Sequence, residues 1–131
     1  MLPYRQWSEA GKMALRVSFN LVLRKTATTT TPTLSSEPVP RGEIWCFQRV
    51  VIENETSAAT ELQIQVITPD DTLVIAAQAS PSANVPYWYD TEVYVTERSY
   101  LKVAYIGAVS GDVIRAYCTG YKLRDVSLPE K

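Results

Sequence analysis

From residue 42 onward the chain is a succession of short apolar or alternating segments, broken by turn residues about every 8 to 12 positions. Punctuation this dense leaves no room for long helices and restricts the fold to antiparallel strands packed as a sandwich or barrel. Ile44 to Glu53 is apolar on both parities, with Trp45, Phe47 and Val51 on one and Ile44, Cys46, Val50 and Ile52 on the other, the pattern of a strand covered on both sides. Leu62, Ile64 and Val66 alternate with Glu61, Gln63 and Gln65, which marks one buried and one wet face. Pro69, Asp70 and Asp71 make a turn before a strand from Leu73 to Ala77. A small-residue loop from Ala79 to Val85 follows, then β-prone segments at Tyr87 to Val95 and Tyr100 to Ile106. After a turn at Gly107 to Gly111 the last strand runs from Val113 to Leu123, with Ile114, Ala116 and Cys118 opposite in parity to Arg115, Tyr117 and Thr119.

Residues 1–41 differ in character. They carry six Lys/Arg against two Asp/Glu, a surplus of +4, whereas residues 42–131 carry seven against twelve, −5, so the net −1 of the 131-residue chain hides a dipolar molecule. A basic leading segment can lie on the acidic body of its own or a neighbouring copy, or both charge sets can simply be solvated. Ser8 can cap a short helix through Leu15, weakened by Gly11, or the stretch is extended and ordered by a partner. Arg16 to Arg24 reads as a half-buried strand: Val17, Phe19, Leu21 and Leu23 alternate with Arg16, Ser18, Asn20 and Arg24, interrupted only by Val22. Residues 26–40, TATTTTPTLSSEPVP, contain three prolines and little apolar area, so a linker or surface-hugging segment is expected there. Its length suggests disorder or contact with another subunit. The expected division is an arm at 1–41 and a body at 42–131.

Chemistry-bearing patterns are sparse. The chain has no histidine, which removes the commonest general base, the Ser/His and Cys/His nucleophile systems and the usual metal ligand; a non-enzyme without a cofactor is expected. Asp90 and Glu92 beside Tyr87, Trp88 and Tyr89 suggest sugar processing by paired carboxylates, but alternation makes them an ordinary wet face. Asp70 and Asp71 read as a turn, not a calcium loop. Cys46 and Cys118 are expected to be buried small hydrophobes; a disulfide across facing sheets is the alternative, and two thiols without histidine do not make a zinc site. No segment reaches the roughly 20 apolar residues of a membrane-spanning helix. Arg5, Glu9 and Lys12 break any export signal, so synthesis in the cytoplasm is expected, where the sequon at Asn54 has no consequence. Adjacent strand residues point to opposite faces, so Tyr87, Trp88 and Tyr89 cannot all be core; an exposed aromatic can stack a sugar or anchor an interface. Basic residues are not interleaved with them, which disfavours nucleic acid.

The segments RGEIWCFQRVVIEN and YLKVAYIGAVSGDVIRAYCTGYKL resemble the small β-sandwich accessory proteins of tailed bacteriophage virions, over roughly the last 90 residues. Gly42, Glu43 and Trp45 match the opening; Gly111, Asp112 and Gly120 match the close, in turn and core roles. The resemblance implies a jelly-roll-like body on a capsid or tail surface, located in the virion. It further implies a homo-oligomer, with a trimer favoured, and an arm that reaches a neighbour. A head decoration or cement protein is the expectation, with Arg5, Trp7, Arg16, Arg24, Lys25, Tyr87, Trp88 and Tyr89 as interface residues. The alternative is a carbohydrate-binding module of a tail fibre, neck or baseplate, stacking glycan on Tyr87, Trp88 and Tyr89.

Overall fold

Period-two alternation needs a second layer to bury against, and the chain supplies it by folding into two antiparallel sheets. The computed structural model describes residues 5–7, 13–90 and 92–125. Among them are ten strands and no helix: β1 (Arg5–Trp7), β2 (Met13–Thr26), β3 (Thr33–Ser35), β4 (Glu43–Asn54), β5 (Glu61–Ile67), β6 (Thr72–Ala79), β7 (Tyr87–Tyr89), β8 (Val93–Val95), β9 (Tyr100–Ile106) and β10 (Val113–Asp125). One sheet runs β1-β2-β10-β4-β7, with β8 also on β4; the other runs β3-β9-β5-β6. With β1 set apart and β7 and β8 taken as pieces of one strand, the order is first-eighth-third-sixth against second-seventh-fourth-fifth. This is the winding of a jelly roll.

The core fills from the facing parities. Phe47, Val50, Ile52, Ile114, Ala116 and Cys118 of the larger sheet meet Leu62, Ile64, Leu101, Val103 and Tyr105 of the smaller, all essentially buried. Tyr105 is the largest fully buried side chain, and its hydroxyl donates to the Arg115 carbonyl at 2.7 Å, so its one polar atom is satisfied. The Gly-Glu-x-Trp opening is a local device: Gly42 turns the chain at φ 81°, and Glu43 accepts a 2.7 Å hydrogen bond from the Trp45 indole two residues along β4. Gly120 sits where β10 shifts register against β4, and a Cβ there would lie 1.9 Å from the Cys46 carbonyl oxygen. Only glycine permits that approach of two backbones.

The boundary expected at residue 41 is not a boundary in the fold, because residues 13–41 are part of the sandwich. β2 is longer than the 16–24 stretch and pairs with β10 of its own chain at thirteen consecutive positions, Ala14 to Thr26. The half-buried Phe19, Leu21 and Leu23 face the core, as their alternation requires. The Thr/Pro/Ser segment is no free linker either. It crosses to the second sheet and runs beside β9, where carbonyls of Thr30 and Pro32 accept from Gly107 and Tyr105, while Ser36 and Val39 donate to Leu101 and Ser99. Leu34 and Val39 are buried. Pro32 takes part through its carbonyl, so its missing N–H costs no ladder bond there. The helix alternative at Ser8 to Leu15 falls largely outside the described residues; its last part, 13–15, is strand.

Asp112, matched at sequence level to a turn, is a buried junction. Its carboxylate accepts from Asn54 Nδ2 at 2.9 Å, from the Ser57 hydroxyl, and from the Val109 N–H at 2.8 Å. Its carbonyl accepts from the Ala27 N–H. Burial pushes the carboxyl pKa up, and the bonds from Ser57, Val109 and Asn54 outweigh it, holding the group below the usual carboxylate range.

Two outcomes follow. Removing residues 1–41 takes away β2 and β3 and strips β10 of one partner along its whole length, so the remainder is expected to show no cooperative melting transition by circular dichroism; a sharp transition would contradict this assembly. Asp112→Ala strands three donors and is expected to cost about 2–4 kcal/mol in denaturant melts. Because the folded carboxyl pKa is lowered, its contribution is full above about pH 3.9 and is lost as pH falls through the folded value; Asp112→Asn should flatten that acid limb.

Candidate interaction surface

The outer face of the larger sheet is built from the parity that does not enter the core, and register arranges it in rows. At one end Arg24, Arg115, Glu53 and Glu55 form a charged row, with Arg24 to Glu55 at 3.4 Å, Arg115 to Glu55 at 3.7 Å and a direct Arg115–Glu53 pair. The next row is apolar: Val22 pairs with Tyr117, Tyr117 with Val51, and Val51 with Trp88. With strands about 4.8 Å apart, this line of four residues spans about 14 Å across four strands. Val22 is 62% exposed, Tyr117 38% and Trp88 63%. Beside it Arg49 clasps Asp90 through two hydrogen bonds of 2.6 and 2.8 Å. That pair raises the Arg49 pKa and lowers that of Asp90, favouring the charged form of each.

A third row seals a thiol. Cys46 lies fully buried under Tyr121 and Tyr94, whose hydroxyls are 3.2 Å apart, with its sulfur 3.6 Å from Glu92. Arg16 stacks over the Tyr121 ring at 3.8 Å. Burial, with Glu92 beside it, pushes the Cys46 thiol up. Cys118 points to the opposite face, into the core, where burial pushes it up to about 12. Both are free, and the alternative disulfide across facing sheets does not form, since the two residues share one sheet and project from opposite sides of it.

The aromatic triplet divides as alternation demands. Tyr87 and Tyr89 are half-buried and pack on the core, and the Tyr87 hydroxyl accepts the Ser82 N–H at 2.8 Å; only Trp88 stands in solvent. The two tyrosines line a cleft of about 170 Å³ between β7 and β6, below the 300 Å³ or so of ordinary ligand pockets. Of the expected interface residues, Arg16, Arg24 and Trp88 lie on this outer face. Lys25 is exposed at the end of β2. Arg5 and Trp7 lie on β1, opposite Leu15 and Met13, and their side chains fall outside the described residues. Val22, Tyr117, Val51 and Tyr94 were not anticipated. The signal for the first was the break in the β2 alternation: Val22 is apolar on the wet parity because that parity carries the exposed row.

A second concavity lies at the opposite side of the sandwich. Phe19, Leu21, Leu23 and Trp45 floor a groove of about 310 Å³, bordered by Ser35 to Glu37 and by Lys122. The Lys122 ammonium sits 4.1 Å from the Trp45 ring centre. No group of three or more metal-ligating side chains occurs among the described residues.

Since both thiols are covered and raised, neither is expected to react with a thiol reagent at pH 8 until the protein is unfolded, after which two should titrate. Rapid native labelling of one equivalent would show that the tyrosine cover over Cys46 opens.

No protein-family model matches the chain, and no curated protein matches it. Among solved structures, the core of a Drosophila NLP, described in terms of pentamer formation and histone binding, is 17% identical with a TM-score of 0.44, over 81% of this chain and 97% of that one. A chain of infectious bursal disease virus Gx strain is 11% identical with a TM-score of 0.40, over 82% of this chain and 31% of that chain. At these levels of similarity the fold assignment stands on the strand pairing above.

Proposed function

We propose that this protein is a non-enzymatic structural subunit of a phage particle, a head decoration or cement protein that acts as a homo-oligomer. The observation that carries the reading is the exposed Val22–Tyr117–Val51–Trp88 row on a rigid sheet face. A contiguous apolar line rimmed by ion pairs is the form of a protein docking surface, with the tryptophan and tyrosine as anchors. Jelly rolls recur in viral capsids, and that analogy of fold agrees with the reading. Attachment then runs through the sheet face: residues 13–41 are occupied inside the fold, so an arm reaching a neighbour is confined to what precedes β2.

A glycan-binding role is the second reading, favoured by Trp88 standing exposed at the end of the row beside the hydrogen-bonding groups of Arg49 and Asp90. Tyr87 and Tyr89, half-buried, line the cleft next to it. The two readings separate on one pair of measurements. Trp88→Ala combined with Tyr117→Ala is expected to keep the wild-type melting profile and to weaken binding to purified particles of the source by about 30-fold or more. Tryptophan fluorescence titrated with polysaccharides should stay flat. Unchanged particle binding, together with a saturable fluorescence shift that Trp88→Ala removes, would transfer the assignment to the glycan reading.

A further inference from the structure

The smaller sheet ends on β6, whose one guarding device is a bulge at Ile75. Its sequence, TLVIAAQA, has no charge, proline or glycine. Leu73 and Val74 are each 52% exposed, and among the described residues its one strand partner is β5. An eight-residue uncharged, largely apolar edge of this kind is a template for another strand. The extra residue Ile75 bends β6 locally, and the stretches on either side keep their open edge.

The other side of the body holds the complement. β1 covers β2 only at residues 13–15, so the outer edge of β2 from Arg16 to Thr26 meets no strand among the described residues. Behind that edge lies the groove floored by Phe19, Leu21 and Leu23, with Ser35 at the end of the three-residue β3 on its border. Basic side chains predominate along this side, Arg16, Arg24 and Lys25 on the strand and Lys122 at the groove, against Glu37 on the groove rim and Glu55, which pairs with Arg24. β6, by contrast, is entered through the acidic Asp70–Asp71 turn.

We propose that β6 of one copy adds to the free edge of β2 of the next. This rests on the homo-oligomeric part of the reading above and specifies its contact. Backbone hydrogen bonds join the strands, one parity of the apolar β6 fills the groove over Phe19, Leu21 and Leu23, and the other lies beside Val22. The opposite charges of the two sides set the pairing. Since β2 and β6 lie on opposite sides of one body, the contact is head-to-tail: every copy offers one edge and accepts another, and repetition gives a ring where the rotation closes and an open filament where it does not.

Mixing two blocked variants tests this. Val74→Lys, with Ala77→Lys as an independent second choice, places a charge on exposed β6; Val17→Glu with Lys25→Glu does so on exposed positions of β2. Each is first checked for a wild-type melting transition. By size exclusion with light scattering, wild type is expected to form an assembly of three or more copies, ring or filament, and each variant alone a monomer. An equimolar mixture of the β2 and β6 variants should give a one-to-one dimer, since each retains the edge the other lacks. If the β2 variant alone still associates while the β6 variant does not, β6 pairs with itself about a two-fold axis and the proposal is wrong. Assemblies unaffected by either variant overturn the edge contact and leave the oligomer reading standing. A wild-type monomer at the highest soluble concentration removes both.

Discussion

β10 is hydrogen-bonded to β2 on one side and to β4 on the other along nearly all of its thirteen residues. Through it the first third of the chain is joined to the last, and the larger sheet exists only once that closure is made. Such pairing across most of the sequence costs loop-closure entropy before it returns any contact energy. It is held by what surrounds it: Gly120 lets the β4 backbone approach at the register shift, Ala116 and Cys118 pack inward, and Asp112 locks the entry of the strand to Asn54, Ser57 and Ala27. Buried hydrogen bonds to an anion are stronger than neutral ones, which suits Asp112 to a point where three chain segments meet.

The same closure decides what the molecule shows to its surroundings. Once β2, β10, β4 and β7 are neighbours, every second residue of each strand stands on one outer plane. Residues far apart in sequence then share rows: a charged one, an apolar one and one that covers Cys46. The apolar row stands apart from the single apolar residues that are scattered over most surfaces. The sheet edges add two further open surfaces on opposite sides, one uncharged and largely apolar, one predominantly basic and backed by a groove. The charge asymmetry seen along the sequence survives folding in altered form, as a basic β2 side and an acidic turn at the start of β6, and no longer as an arm set against a body.

Much of the architecture was legible from alternation. The strands at Ile44 to Glu53, Leu62 to Val66, Leu73 to Ala77, Tyr100 to Ile106 and Val113 to Leu123 all lie within observed elements, because period two is imposed directly by the pleat. The role of residues 26–40 was not legible. Their Thr and Pro content describes a poor ladder, and a segment that docks through scattered backbone hydrogen bonds and the buried Ala27, Pro32, Leu34, Ser36 and Val39 has no periodic signature. The interface residues were legible in part. Trp88 stood out as an aromatic in a crowded triplet, although which of the three faces solvent depends on the partner strand. Val22 showed only as an irregularity, and Tyr117 and Val51 as unremarkable members of their strands.

Local pattern settled the all-β class and the lack of histidine-based chemistry, and left sandwich and barrel both open, since it follows only from side-chain type and from the spacing of neighbours along the chain. Strand order settled everything that depends on which segments lie side by side: the jelly-roll winding, the inclusion of residues 13–41, the separation of Cys46 from Cys118, and the row on the outer face. Alternation says that a residue points up or down but carries no label for the strand beside it. That label comes from long-range register, set by a shared core, a bulge at Gly120 and a buried carboxylate at Asp112.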